Sequence, residues 1–249
     1  MSLDSISFMS GLSGLLIVLV GYLLAFYTFY LFSKSKSYQT LALALTLLCT
    51  SSVWLGVTSN FVLYIMTNSE SSFLTEKSYF FLISWPLGIL IPVTVFLTTS
   101  FIGQKYQKIV VGISVLIGLI WIVIAYILVP IKFMALSSLF VVQYNKGSLP
   151  DSSFIGITLL LTLLGLITMA VSGALFLATG RSSLDRVAKL RGLYLGSGYI
   201  LFALASLGDA MSDVVSSEYF IIVVRLLVIV SFILISIAIL KPKRIFEST

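Results

Sequence analysis

The residue with the most chemistry in this sequence is an arginine inside an apolar run, Tyr219-Phe220-Ile221-Ile222-Val223-Val224-Arg225-Leu226-Leu227. If this run is a helix entering a membrane near Ser217, the Arg225 backbone lies about 12 Å below the surface. A guanidinium held near the membrane centre costs about 3 kcal/mol on insertion scales, so it must face the protein interior and find an acid or water. Asp209 and Asp213 stand in the preceding apolar run, four residues apart and therefore on one helical face. A tight turn between the runs makes the two helices neighbours and an Arg225–Asp209 pair available. Such a pair can fix helix register or mark a ligand or ion site, and an outward-facing site is the expectation. Asn60 adds a carboxamide that needs a cross-helix partner or water at its depth. The candidate ligand-binding residues are Asn60, Trp85, Asp209, Asp213 and Arg225, with Tyr79, Trp85 and Tyr199 as aromatic walls.

Other chemistry is removed by what the chain lacks. It has no histidine and a single cysteine, Cys49, within an apolar run. Zinc, haem and iron–sulfur sites lose their usual ligands, and histidine-activated serine nucleophiles go with them. The expectation is no metal, no cofactor and no enzymatic activity; an acid–base mechanism would have to run on Asp209 or Asp213. The net charge of +6 does not point to nucleic acid, because that reading needs a basic patch on a soluble surface.

The elements that position these residues follow from composition. Of 249 residues 59% are apolar and 10% charged, with mean hydropathy +1.14, against about 25% charged in soluble domains. This predicts an all-α, multi-pass protein of the cell membrane. The charge-poor intervals hold seven spans, about 14–33, 41–66, 79–101, 109–129, 154–179, 192–211 and 219–240, in one domain over 1–249. The first apolar run lacks a basic leading region and is too long for a signal core, so it reads as a retained helix. Eleven of the Lys and Arg residues fall on one side, three on the other, and Arg225 within the last span. The positive-inside rule then places the N-terminus outside and the C-terminus in the cytoplasm.

Small residues at four-residue spacing, Gly192 with Gly196 and Ala170 with Ala174, predict close helix packing, as do Gly14 and Gly21 in the first span. Pro86 and Pro92 predict bends in the third span and carbonyls that need partners from neighbouring helices. The polar run Cys49, Thr50, Ser51, Ser52 reads as hydroxyls bonded to their own helix. The longest connection, Pro130 to Asp151, is expected to be an ordered loop.

Seven helices with an outside N-terminus and the segment Ser84-Trp85-Pro86-Leu87 resemble the microbial rhodopsins. The last span has no lysine for a Schiff base, and Arg225 cannot replace it because its guanidinium stays protonated, so covalent retinal is rejected. Trp54-Leu55-Gly56, Arg191-Gly192-Leu193-Tyr194-Leu195-Gly196 leading to Gly208-Asp209, and the tail Ala238-Ile239-Leu240-Lys241-Pro242-Lys243-Arg244 resemble the seven-helix input domains of prokaryotic sensor kinases and archaeal seven-helix membrane proteins like them. That resemblance implies a sensory or receptor-like protein that takes a small-molecule ligand and, with no output domain in the sequence, signals to a separate cytoplasmic partner. The basic loop Arg181 to Arg191 would dock that partner or membrane lipids. The alternative is a small solute carrier or lipid scramblase with a three-plus-one-plus-three arrangement similar to carriers of the SWEET type, whose Pro-Gln signature is absent.

Overall fold

The computed structural model describes residues 3–69, 72–102, 105–123, 142–145, 149, 151–154, 157–211 and 217–240. Its helices are α1 (Ser5–Ser35), α2 (Tyr38–Ser52), α3 (Leu55–Thr67), α4 (Glu76–Ile102), α5 (Gln107–Val123), α6 (Ile157–Ser182), α7 (Arg186–Ala210) and α8 (Glu218–Leu240). Five of them, α1, α4, α6, α7 and α8, are long and apolar enough to cross a membrane, and there are six such segments if the bent pair α2 with α3 is counted as one span. The chain is a multi-pass membrane bundle. α5 is a shorter apolar helix of 17 residues, and positions 124–129 of the expected fourth span lie outside the described residues, as do 241–249 of the basic tail.

Three features depart from the sequence reading. The second span is not straight: α2 and α3 meet at Val53 and Trp54 with a bend of 53°. The hydroxyls of Thr50, Ser51 and Ser52 donate to the carbonyls of Thr46, Leu47 and Leu48, each four residues back and each 2.7 Å away. Back-bonding of this kind opens and bends a helix, and three in succession end α2. A short antiparallel hairpin, β1 (Val142–Asn145) with β2 (Asp151–Phe154), interrupts the all-helical plan, so Phe154 lies in a strand and α6 begins at Ile157 rather than at 154. Positions 130–141 of that connection lie outside the described residues. Finally, α1 starts at Ser5, about 9 residues before the expected span, where the Asp4 carboxylate accepts from the Ser7 amide at 2.6 Å and caps the helix.

The helices form a closed circuit of neighbours in the order α1, α2/α3, α4, α6, α7, α8 and back to α1, with α5 packed against α4 on the outside. Bulky apolar side chains point outward from α1 (Leu23, Phe26), α5 (Ile113, Leu116), α6 (Leu160, Ile167) and α8 (Val223, Leu226), while hydroxyls from α2, α4, α7 and α8 are buried within. This distribution is what hydrocarbon outside and satisfied polar groups inside require.

Close backbone approaches hold the circuit. On α1, Gly11, Gly14, Val18, Gly21, Ala25 and Thr28 are buried at alternating three- and four-residue spacing; a Cβ on Gly11 would strike the Phe61 ring and one on Gly21 the Ser51 side chain. Between α6 and α7, Gly192 lies against Gly180 and the Phe176 carbonyl, and Gly196 against the Gly173 carbonyl. The Gly192 and Gly196 expectation therefore describes a real contact, but its partners are Gly173 and Gly180. Ala174 is exposed on the opposite face of α6.

On α4, Pro92 cannot donate to the Gly88 carbonyl four residues before it. That carbonyl lies against Gly118 of α5, where a Cβ would collide with it. The Ser84 carbonyl, in the turn around Pro86, accepts from the Trp121 indole N–H at 2.7 Å. α4 runs on as one helix through both prolines, and its Gly88 and Ser84 carbonyls both meet α5.

These registers put the two ends of the bundle in opposite electrostatic surroundings. Lys34, Lys36, Lys105, Lys108, Arg181, Arg186, Lys189 and Arg191 are all exposed at one end. Asp4, Asp209 and Glu218 lie at the other.

Candidate functional site

The described charge cluster gathers at the acidic end, where α1, the α2/α3 break, α7 and α8 converge. Asp209 sits in the last turn of α7, where unpaired carbonyls and the helix dipole disfavour an anion. Gly208 beside it has no side chain, which lets α8 approach: a Cβ there would lie 3.1 Å from Val224. That approach delivers the neighbouring Arg225, whose Nε donates to Asp209 Oδ1 at 2.9 Å. The other carboxylate oxygen accepts from the Trp54 indole N–H at 3.1 Å.

The guanidinium is shared with α1. Its Nη1 donates to the Ser10 carbonyl and to Ser13 Oγ, the latter at 3.1 Å. The Ser13 hydroxyl in turn donates to the Met9 carbonyl at 2.5 Å. A Cβ on Gly14, one residue on, would lie 3.7 Å from Nη1, so the small face of α1 is what admits the arginine. The Arg225 side chain is 4% exposed and that of Asp209 is 18% exposed. Above this layer the Ser5 hydroxyl donates to the Glu218 carboxylate, tying the starts of α1 and α8 together.

Asp209 and Arg225 are therefore brought together. Asp213 lies outside the described residues. Asn60 is fully buried on α3, and its carboxamide oxygen accepts from the Leu74 amide at 2.8 Å, which pins the α3–α4 connection back onto α3. Trp85 is half-buried against the core from α4. Of the aromatic walls, Tyr79 is buried against Gly56. Tyr199 stands ten residues before Asp209 on α7, about 15 Å along the helix, and so belongs to the middle of the bundle. Trp54, Ser10 and Ser13 were not among the candidates. Trp54 reaches Asp209 only because the chain breaks beside it, and the one available signal was the hydroxyl run ending at Ser52.

Chemically the cluster is an ion pair with three further partners, five residues from four segments. The carboxylate is acceptor-only and is the more accessible member, so it offers a site to a hydrogen-bond donor or a cation. Among the described residues no group of three His, Cys, Asp or Glu side chains could hold a metal ion. No protein-family model and no curated protein sequence matches this chain.

Proposed function

We propose that this chain is a seven-span, receptor-like protein of the cell membrane, with the N-terminus outside, in which the Arg225–Asp209 pair is a latch that a ligand opens. The observation carrying this reading is the sharing of one buried pair among α1, the α2/α3 break, α7 and α8. A group that competes for Asp209 weakens two contacts of α7 at once, to Arg225 of α8 and to Trp54 at the α2/α3 break. The count of seven takes α2 with α3 as the second span and α5 as the fourth. The orientation rests on the exposed cations at one end, which the positive-inside rule puts in the cytoplasm. The ligand class is a small cation or hydrogen-bond donor reaching Asp209 from outside. Release of α7 from α8 would shift Arg186, Lys189 and Arg191 at the far end of α7. As in the sensor-kinase input domains that the sequence resembles, the signal would leave there to a separate partner.

The test is ligand-dependent thermal stabilisation of the full chain in lipid nanodiscs, screened with small amines, amino acids and polyols. A stabilising solute whose effect disappears in Asp209→Asn supports the latch, and stabilisation that survives in Asp209→Asn overturns it.

The second reading, a carrier, draws support from the circuit of neighbours. Two triples in chain order, α1–α2/α3–α4 and α6–α7–α8, close on each other while α5 stays outside, as a three-plus-one-plus-three arrangement demands. It predicts solute flux into proteoliposomes that Arg225→Ala abolishes, whereas the receptor reading predicts binding without flux.

A further inference from the structure

The middle of the bundle contains a polar cluster that the latch does not use. Tyr199 of α7 and Thr46 of α2 are fully buried, and Thr94 of α4 is 1% exposed. The Tyr199 hydroxyl faces the side chains of both threonines, yet the Tyr199 and Thr94 hydroxyls make no hydrogen bond of ordinary geometry within the described protein. The Thr46 hydroxyl donates to the Ala42 carbonyl at 2.9 Å and keeps its lone pairs for an acceptor role. Three hydroxyls from three helices thus converge with their donors and acceptors largely unspent, buried away from lipid and from bulk solvent.

We propose that this cluster binds internal water, bridging α2, α4 and α7 at the centre of the six-span circuit. Water suits the site because it supplies two donors and two acceptors and typically makes about three hydrogen bonds to buried groups of this kind. Apolar contacts close the site on one side, where the Tyr199 ring meets Phe176 edge-on with centroids 5.5 Å apart. The same inward face of α7 continues through Phe202 to Ser206, whose buried hydroxyl also has no hydrogen-bond partner among the described residues, and then to Asp209. The proposal is independent of the latch, since it concerns other side chains at another depth.

The experiment is hydroxyl-radical footprinting of the full chain in nanodiscs, with radicals generated by X-ray pulses in heavy-oxygen water. Radicals form where water is bound, so a buried ring is labelled only beside it. Tyr199 should be labelled several-fold faster than Phe232, which is equally buried, and approach the rate of exposed Tyr219. Thr94→Val should lower Tyr199 labelling towards that of Phe232 without changing Tyr219. Labelling of Tyr199 no faster than Phe232 in the unmodified protein overturns the proposal and leaves a direct hydroxyl knot. That result would leave the latch untouched.

Discussion

Helix α7 is held in two different ways on its two sides. Towards α6 the contact is made by absent side chains, with Gly192 and Gly196 laid against Gly180, Phe176 and Gly173 so that backbone meets backbone. Towards α8 glycines also pack, Gly198 against the Ser231 carbonyl and Gly208 against Val224, but an ion pair is added, Asp209 with Arg225, whose guanidinium reaches on to Ser10 and Ser13 of α1. In hydrocarbon no hydrophobic effect separates helix from lipid, so association needs either very close packing or polar bonds. The difference teaches where sensitivity can lie. A glycine contact has one dry geometry and nothing a solute can compete for, whereas an ion pair can be exchanged for another partner.

The comparison is most severely tested by Arg225→Met. This leaves Asp209 buried beside Trp54 without its countercharge, and the expected loss is about 3–5 kcal/mol of stability, read as a fall in Tm in nanodiscs. A Tm unchanged from the parent chain would mean that the charged side contributes no more than packing. Next comes Gly192→Ala on the other side. A Cβ there meets Gly180 Cα and the Phe176 carbonyl, neither of which can rotate away, so an overpacking cost of about 1–3 kcal/mol is expected. The same screen should show ligand stabilisation intact in this variant, because the latch is untouched.

Trp54→Phe removes one hydrogen bond to the carboxylate while keeping a ring against Phe202, whose centroid lies 6.4 Å from that of Trp54. An expected loss of about 1–3 kcal/mol separates its indole N–H from its ring, since hydrogen bonds to charged groups fall in that range. The smallest effect belongs to the double variant Asp209→Leu with Arg225→Met. Replacing both charges by apolar groups of similar size should return stability to within about 1 kcal/mol of the parent chain. If the double variant is stable and yet binds no ligand, the pair is retained for function. If it is as unstable as Arg225→Met alone, the pair is a structural bond and the sharper reading of the comparison is lost.

Much of the fold was legible because insertion into hydrocarbon is a property of local composition. Charge-poor intervals located the five long helices to within a few residues at α4 and α8, and the cations fell where the chain turns at one end. The Arg225–Asp209 pair was legible for the same reason, since a cation in an apolar run has few acids to choose from. The partners were not. Nothing in the spacing of Ser10, Ser13 and Trp54 marks them as ligands of a charge cluster, because two of them are ordinary helix residues and the third lies at a break. Ala170 and Ala174 were read as a packing face on spacing alone, while Gly173 and Gly180 carry the contact.

What the sequence determined by itself is therefore the set of apolar segments, their charged ends and the need for an acid near Arg225, each of which sums residue by residue. The tertiary structure decided the rotation of each helix, the 53° bend that brings Trp54 to Asp209, and the place of α5 outside the circuit of the other helices. The reason is that in a membrane both faces of a helix are apolar, one meeting lipid and the other the core. The pattern of hydrophobicity then carries no phase, and only the fit of neighbouring surfaces can choose which face turns inward.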